Sequence, residues 1–447
     1  MDFISYAQKK GAEYIELKTL RIEQTSIETQ NEDVKNLSTI YSELRAVKLI
    51  CKKKEALASS NMETFQELID KAIKISKLSE EEIEFQPQKR INLKLSSKFK
   101  IDPRDIDLEQ KKKDILNLNA LRKDFKKIVN VKLNYSDIKI TKTFANSEGT
   151  ETELNDTMVI YAPWIYAKEG QVLESYFKIL RGHDGYEIMK KAEEHTKETM
   201  SMAQKLLKAK YAKGGKFPVI VDQNLGGVFI HEAVGHATEA DIVLQNGSVL
   251  KGKLNQKIAS DILNARDDGT RYIFGWTPID DEGTEGSNTQ LIKDGTLINY
   301  LHSRQTASIM KTKPTGNGRS QSIGHRSIPR MTCTIIDEGD SNFDEMVSTI
   351  KNGYYLKGSK GGEVSPSKGE FMFNAMYGYK IEKGEQKEMV KAVSLNGNIL
   401  KILPKISMIG NDLAYEHGFC GKDSQSVPVS HGTPHFKIEE AGVGGKE

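Results

Sequence analysis

The chain has 447 residues, and its 65 Lys and Arg against 62 Asp and Glu give a formal net charge of +3. With 37% hydrophobic and 28% charged residues, it has the composition of a water-soluble globular protein of two or three domains, which excludes intrinsic disorder. No stretch approaches the roughly 18 uncharged apolar residues of a membrane helix, the N-terminus lacks the order of a secretory signal, and three scattered cysteines exclude a disulfide framework. We therefore expect a cytoplasmic protein with reduced thiols.

The N-terminal half is predicted to alternate helices and strands. The spacing of apolar residues marks each element. It predicts helices at 2–10, 61–77 and 187–210, and strands at 14–20, 128–144, 157–163 and 173–180. Residues 79–103 are charged, poor in apolar residues and contain Pro87 and Pro103, so they are interpreted as a connector.

A basic segment spans residues 86–142, where 16 Lys and Arg stand against 7 Asp and Glu, a local net charge of +9. Such a patch could bind nucleic acid or an acidic partner. However, Ile115, Leu118 and Leu121 recur at helical spacing between the charges, and few aromatic residues interleave with the basic ones to stack on bases. The pattern favours a solvated face of an amphipathic helix, so we do not expect nucleic-acid binding.

Beyond Gly214 the chain becomes rich in glycine. Short apolar runs at 219–221, 297–301, 332–336 and 399–403 are separated by turn signals at 293–295, 382–384 and 396–398. This pattern is typical of hairpins in antiparallel sheets. The sequence thus predicts an α+β protein with two lobes. The first is an α+β domain at 1–212, and the second is a β-rich domain at 213–447 with largely antiparallel sheets.

The segment most informative about chemistry is a predicted helix in the second lobe, which carries His231, Glu232 and His236 in a His-Glu-x-x-x-His pattern. In the familiar His-Glu-x-x-His motif of metallopeptidases the two histidines share one face of a helix. A spacing of five places them about 140° apart on a regular α-helix. A π-type turn would restore the alignment, and Gly235 gives the backbone freedom to deform. We therefore predict a π-bulge or a helix break between Glu232 and His236.

Spacing alone leaves the metal site open. The two histidines could be ordinary polar residues with satisfied hydrogen bonds. If they bind a metal, Glu232 is badly placed as a third ligand but well placed as a general base on a metal-activated water. The third ligand must then come from elsewhere, and spacing does not choose among Glu239, Asp241, His302, His325, His417, Cys420, His431 and His435.

The helix sequence HEAVGHATEAD resembles that of the TldD/PmbA family of zinc metallopeptidases, on its TldD side. Further similar segments follow through the second lobe: DDEGT at 280–284, LHSRQTA at 301–307, PTGNGR at 314–319, PRMT at 329–332, IGNDLA at 409–414 and CGKDSQSVPV at 420–429. In the first lobe the resemblance rests mainly on GAEYIEL at 11–17.

The resemblance implies a zinc ion held by His231, His236 and Cys420, with Glu232 as catalytic base. It implies a peptidase that hydrolyses unfolded or short peptides, as a homodimer or with a PmbA-type (TldE) partner. All four residues are present, so the chain is similar to the active branch. Lys422 would favour the Cys420 thiolate, and peptide would add as an extended strand to a sheet edge of the second lobe.

Several assignments stay open at this stage. His302, Arg304 and Arg319 fall in family-like segments, where they could bind substrate or serve as structural hydrogen-bonding groups. His431 and His435 are additional histidines that could compete with Cys420 for metal. The alternative functions are a zinc hydrolase acting on a non-peptide bond, and a non-catalytic regulator or binding partner that uses the basic 86–142 segment, such as a gyrase modulator.

Overall fold

A computed structural model describes residues 2–80, 82–85 and 87–445. The remaining positions of the two predicted lobes, Met1, Glu81, Gln86, Lys446 and Glu447, lie outside the described residues. Two of them, Glu81 and Gln86, belong to the predicted connector, and Gln86 also begins the basic segment.

The first lobe is built on one large sheet. Its strands are β1 (Tyr14–Gln30), β2 (Asp33–Cys51), β3 (Lys54–Ser60), β4 (Asn92–Ser96), β5 (Ile128–Asn146), β6 (Glu151–Glu169), β7 (Val172–Phe177) and β8 (Leu180–Gly182). They run in the order β3-β2-β1-β5-β6-β4, and β7 and β8 pair with β6. All these pairings are antiparallel except β4–β6. The predicted connector therefore contains one strand, β4.

Four helices pack on this sheet: α1 (Phe3–Lys9), α2 (Phe65–Ser76), α3 (Leu108–Ala120) and α4 (Ala192–Leu206). α2 begins with a capping box between Thr64 and Glu67, and it buries Leu68, Ile69 and Ala72 against the sheet. α4 is shorter than the predicted helix at 187–210, because residues Tyr186–Lys191 form a 3₁₀ turn before it.

The basic segment differs from the expected solvated helix face. Ile115 and Leu118 of α3 are buried as predicted, but Lys111 is also buried and its Nζ lies 2.7 Å from Oδ2 of Asp137. Other cations of the segment are paired as well: Lys94 with Glu153, Lys112 with Glu109, Lys127 with Glu169 and Lys132 with Glu28. Much of the local charge is therefore neutralised within the chain rather than presented as a bare patch.

The second lobe contains the remaining strands. They are β9 (Lys210–Tyr211), β10 (Gly215–Val221), β11 (Ala265–Asp268), β12 (Asn288–Lys293), β13 (Thr296–Leu297), β14 (Gly318–Arg319), β15 (Ile328–Pro329), β16 (Cys333–Ile336), β17 (Asn352–Ser365), β18 (Glu370–Glu382), β19 (Glu385–Lys391), β20 (Ser394–Asn398), β21 (Ile406–Ile409), β22 (Ala414–Lys422), β23 (Gln425–Thr433) and β24 (Phe436–Gly444). Its helices are α5 (Gln223–Ile230), α6 (Ala240–Leu244), α7 (Arg304–Ile309), α8 (Phe343–Ser348) and α9 (Ile399–Ile402).

Two sheets of this lobe enclose α5. In the larger one, β17, β10, β24, β20 and β18 pair in a closed circuit, because β17 also pairs with β18. The smaller one has the order β13-β12-β11-β16-β23-β22. Phe229 of α5 packs at ring distances of 5.5 Å from both Phe371 and Phe436 of the larger sheet. On the other side of the helix, Gly227 approaches His431 of β23.

The α+β class, the largely antiparallel sheets and the motif helix among them are confirmed. Three local expectations are wrong. Residues 399–403 form α9 and the start of a 3₁₀ turn rather than a strand, residues 396–398 lie within β20 rather than in a turn, and the strand expected at 297–301 is reduced to β13. Short apolar runs do not distinguish buried helices from strands, so packing decided these cases. The division near residue 213 stays a prediction, and β9, just before it, pairs with β19.

Candidate active site

The motif helix begins at Asp222, which caps its N-terminus. The Asp222 carboxylate accepts hydrogen bonds from the backbone N–H of Leu225 at 2.9 Å and from that of Gly358 at 3.0 Å. The first bond satisfies a free donor at the helix start. The second joins the helix to strand β17, so one buried carboxylate fixes where the motif helix starts.

The predicted distortion of this helix is confirmed. α5 ends at Ile230, residues His231–Gly235 form a π-helical turn, and His236–Thr238 form a 3₁₀ turn. A π turn takes about 4.4 residues, so residues five apart come close to the same face. The ring centroids of His231 and His236 are accordingly 5.1 Å apart.

Gly235 has a different role from the one expected. Any residue can adopt its φ of −53°, so the conformational freedom of glycine is not required at this position. A Cβ at Gly235 would instead lie 1.9 Å from Sδ of Met331. The π turn therefore packs closely against the side chain of Met331, which lies between β15 and β16.

Cys420 completes a cluster with the two histidines. One ligand atom from each of His231, His236 and Cys420 lies within 4.8 Å of the other two, and all three residues are buried. Sγ of Cys420 is 3.4 Å from Nε2 of His236. Cys420 lies on β22, 184 residues beyond His236 in the chain, so only the packing of α5 against the smaller sheet brings them together.

The chemistry of the cluster fits a zinc ion. Nδ1 of His231 is buried and has no hydrogen-bond partner among the described residues. Burial by itself would raise the pKa of Cys420, but His231 and His236 lower it to about 4. Cys420 in turn raises the pKa of His231 against the effect of burial, whereas the pKa of His236 is raised mainly by Glu239 and further by Cys420. These shifts favour a thiolate beside the two imidazoles, and thiolate with imidazole is a ligand set that zinc prefers.

Glu239 contacts the ring nitrogen of His236 that does not face Cys420. Its side chain is fully buried, and Oε2 lies 2.9 Å from Nδ1 of His236 and 3.2 Å from Nζ of Lys422. A carboxylate in this position orients a ligating imidazole. Glu239 was a candidate third ligand on spacing, and the structure places it behind His236 instead.

Lys422 and Arg330 hold the surrounding backbone. Nζ of Lys422 contacts Asp241 at 2.8 Å as well as Glu239. The two imidazoles, rather than Lys422, are the main cause of the lowered pKa of the Cys420 thiol. Arg330 is fully buried and donates to the carbonyl oxygen of Cys420 at 2.5 Å. It lies within the PRMT segment, yet its spacing to Cys420 gave no signal of this role.

Glu232 borders a cleft of about 960 Å³. Its Oε2 is 3.9 Å from Nε2 of His236, and its side chain is 20% exposed. Burial raises the pKa of Glu232, partly opposed by His231 and His236. The cleft receives residues from both lobes, including Tyr176, Arg181, His231, Glu232, His236, Gly361, His417, Phe419, Cys420 and His431.

The three predicted substrate-binding residues lie elsewhere, because none of them belongs to the lining of this cleft as the structure describes it. Arg304 is 1% exposed and contacts Tyr14 at 2.8 Å and Glu148 at 2.9 Å, between the lobes. Arg319 donates to the backbone oxygens of Met331 and Pro428 at 2.5 and 2.7 Å. His302 is buried, and burial lowers its pKa to about 4, so its ring is neutral at pH 7.

Of the other candidate histidines, His431 and His417 line the cleft, whereas His435 and His325 are not among its lining residues as described. His431 lines the cleft, with its ring centroid 6.3 Å from that of His231, while burial and the positive charge of His231 lower its pKa well below the usual value. His435 is bound to Asp412 at 2.5 Å and to Tyr355 at 2.7 Å. His417 bonds Ser430 at 2.9 Å, and His325 is exposed.

Family models agree with this picture. Residues 214–445 match the PmbA/TldA metallopeptidase C-terminal domain, and residues 101–208 match the central domain of the same family. The chain therefore belongs to the PmbA/TldD metallopeptidase family. It is 39% identical over 429 residues to a metalloprotease of Methanocaldococcus jannaschii, with 94% of both chains covered. It is 30% identical to a zinc metalloprotease TldD homolog of Saccharolobus solfataricus, with 99% of both covered.

Solved structures show the same fold. A protein of Thermotoga maritima described as a candidate modulator of a DNA gyrase has a TM-score of 0.81 at 21% identity, over 99% of this chain and 98% of that one. TldE of Thermococcus kodakarensis has a TM-score of 0.79 at 20% identity, over 99% of both chains. No helix in the described part of the chain is long and apolar enough to cross a membrane.

Proposed function

We propose that this protein is a zinc-dependent peptidase that hydrolyses unfolded or short peptides. One observation carries the proposal: two imidazoles and a cysteine sulfur converge within 4.8 Å near the carboxylate of Glu232, at the wall of an open cleft. The names of the M. jannaschii and S. solfataricus relatives, both metalloproteases, support it.

His231, His236 and Cys420, which all line the cleft, would hold the ion. When bound, zinc supplies a Lewis acid and lowers the pKa of a coordinated water to about 7. Glu232 would take a proton from the attacking water and deliver it to the leaving amine. A carboxylate whose pKa is raised by burial is suited to both transfers.

The cleft offers backbone edges for an extended peptide. β22 pairs with β23 on one side, and among the described strands nothing pairs with its other edge. Residues 416–422 of β22 and 357–364 of β17 both line the cleft. Main-chain pairing with such an edge binds peptides with little regard to sequence, but it requires the substrate to be unfolded. This favours short or unfolded peptides over folded proteins.

The assembly and compartment belong to the same proposal. A TldE structure shares the fold, so we propose that the chain acts as a homodimer or with a TldE-type partner. All three cysteines are free, which fits a reducing cytoplasm.

The test compares wild type with His236→Ala, Glu232→Gln and Glu363→Gln. Glu363 is an exposed carboxylate in the same cleft, so it serves as a matched control. Zinc per chain and cleavage of a casein digest are measured, with and without a TldE-type partner. We expect about one zinc in wild type, its loss in His236→Ala, and retention in Glu232→Gln with cleavage lowered about 10²- to 10⁴-fold.

Glu363→Gln should match wild type in both measurements. A wild-type protein that binds no zinc and cleaves nothing, even with zinc and partner supplied, would refute the proposal. Full activity in Glu232→Gln would remove Glu232 as the general base but leave the metal site standing.

A further inference from the structure

Arg181 is a cation of the first lobe that reaches into the cleft of the second. It lies on β8 at the edge of the first sheet, where it pairs with Ile160 of β6. It lines the same cleft as Glu232 and Cys420. The first lobe therefore contributes a charged side chain to the candidate active site.

The guanidinium of Arg181 is positioned by contacts with two aromatic rings. Its central carbon lies 5.6 Å from the ring centre of Phe274 and 6.0 Å from that of Phe419. In the described part of the chain it makes no hydrogen bond and no ion pair. Glu416 is close enough to act on its charge but does not pair with it, and burial lowers the pKa of Arg181. Cation–π contacts position a guanidinium without using its five N–H donors, which stay free to bind a ligand.

The position of Arg181 relative to the cluster follows from strand β22. Phe419, which it contacts, directly precedes Cys420. Phe419 is 52% exposed in the cleft, and Phe274 beneath it is buried. An extended peptide advances about 3.4 Å per residue along such a strand. A group bound by Arg181 would therefore lie within a few residues of a peptide bond placed at the cluster.

Given the proposed peptidase function, on which this inference rests, we propose that Arg181 binds a carboxylate of the substrate and makes the cleft selective for peptides that carry one near the scissile bond. A planar guanidinium with free donors matches a carboxylate in two parallel hydrogen bonds. The carboxylate is either the C-terminus of a short peptide or an acidic side chain, and both have the same chemistry. Arg181 is a specificity-determining residue in this scheme.

The experiment measures peptide binding separately from cleavage. Zinc-loaded Glu232→Gln protein is titrated with octapeptides of neutral residues that carry an uncharged fluorophore at the N-terminus. The peptides end in a free acid or an amide, and a third set is amidated with one Glu or one Gln at each position. Fluorescence anisotropy gives Kd, and the same peptides are offered to the zinc-loaded wild type for cleavage.

We expect roughly tenfold tighter binding of one carboxylate-bearing set over its neutral counterpart, the gain of one charge-assisted contact. The preference should vanish when Arg181→Met is added and return in part with Arg181→Lys, which also guards against a folding defect in the first variant. Lys178→Met is the matched control. Lys178 lines the same cleft, but its Nζ is bound to Glu198 at 3.3 Å. That variant should keep the preference.

The possible outcomes distinguish the two kinds of carboxylate and test the role of Arg181 separately from the peptidase proposal. A preference for the free acid identifies a C-terminal carboxylate, and a preference for Glu identifies an acidic side chain. Equal binding of all peptides, or a preference that survives Arg181→Met, would overturn the role of Arg181 while leaving peptidase activity untouched. Selective binding without any cleavage by wild type would refute the peptidase proposal alone, and a lack of any peptide binding would refute both.

Discussion

Oε2 of the fully buried Glu239 lies 2.9 Å from Nδ1 of His236, while Nε2 of the same ring lies 3.4 Å from Sγ of Cys420. One imidazole thus connects a buried carboxylate to the candidate ligand cluster. The carboxylate fixes the orientation of the ring and makes Nε2 a better donor to a metal.

Glu239→Gln should weaken zinc binding about 10- to 100-fold, the usual effect of removing a carboxylate behind a ligating histidine. Competition with a chromogenic chelator measures the zinc Kd. Glu363→Gln, on an exposed carboxylate of the cleft, is the control and should keep the wild-type value. Unchanged zinc affinity in a folded Glu239→Gln protein would show that Glu239 does not support the metal site.

Gly235→Ala should destabilise the protein by about 1–3 kcal/mol, the usual effect of overpacking a buried site. The new methyl group would lie 1.9 Å from Sδ of Met331, so the buried side chain of Met331 or the π turn must shift. Thermal unfolding and zinc content are measured together. Gly214→Ala is the control, because a Cβ there meets its neighbours at 3.6 Å or more. Adding Met331→Ala to Gly235→Ala shortens the side chain that the new methyl group meets, so it should restore part of the lost stability. If it does not, the destabilisation comes from another contact.

Asp222→Ala should cost about 1–2 kcal/mol of stability, because it removes the cap of α5 and the acceptor for the N–H of Gly358. Asp222→Asn keeps one oxygen acceptor and should lose less. Chemical denaturation of the three proteins gives the comparison. Equal stability of wild type and Asp222→Ala would contradict a structural role for this carboxylate.

His302 makes stability depend on pH. Burial lowers its pKa to about 4, below the value of about 6.5 in an unfolded chain. Its contribution is therefore fully present above pH 6.5 and is lost as the pH falls toward 4, at up to about 1.4 kcal/mol per pH unit.

The free energy of unfolding, measured at intervals between pH 7 and pH 4, should fall less steeply in His302→Gln than in wild type. His325→Gln, on an exposed histidine, controls for the loss of an imidazole elsewhere. Identical pH profiles for wild type and His302→Gln would show that His302 protonates equally easily in both states.

The parts of the site that depend on local helix geometry could be predicted from the sequence. The five-residue spacing of His231 and His236 is incompatible with a shared face on a regular α-helix, so the sequence predicted a π-bulge or a helix break there, and the structure has a π turn. The amphipathic helices and the antiparallel class followed from apolar spacing in the same way. For the apolar run at 399–403 the same reasoning wrongly predicted a strand, because a short buried apolar segment packs equally well as a helix turn or as a strand.

By itself, the sequence determined that His231, Glu232 and His236 share one distorted helix, because residues a few positions apart are bound by helix geometry. The family resemblance implied Cys420 as the third ligand, but spacing did not choose it, and only the tertiary structure shows which distant groups meet the helix. The packing of α5 against β23 and β22 brings Cys420 to His236, and contacts with other distant segments place Arg304 and Arg319 outside the lining of the cleft. These contacts join residues separated by tens to hundreds of positions, and no local periodicity encodes them. They depend on how the buried faces of two sheets and one helix fit together.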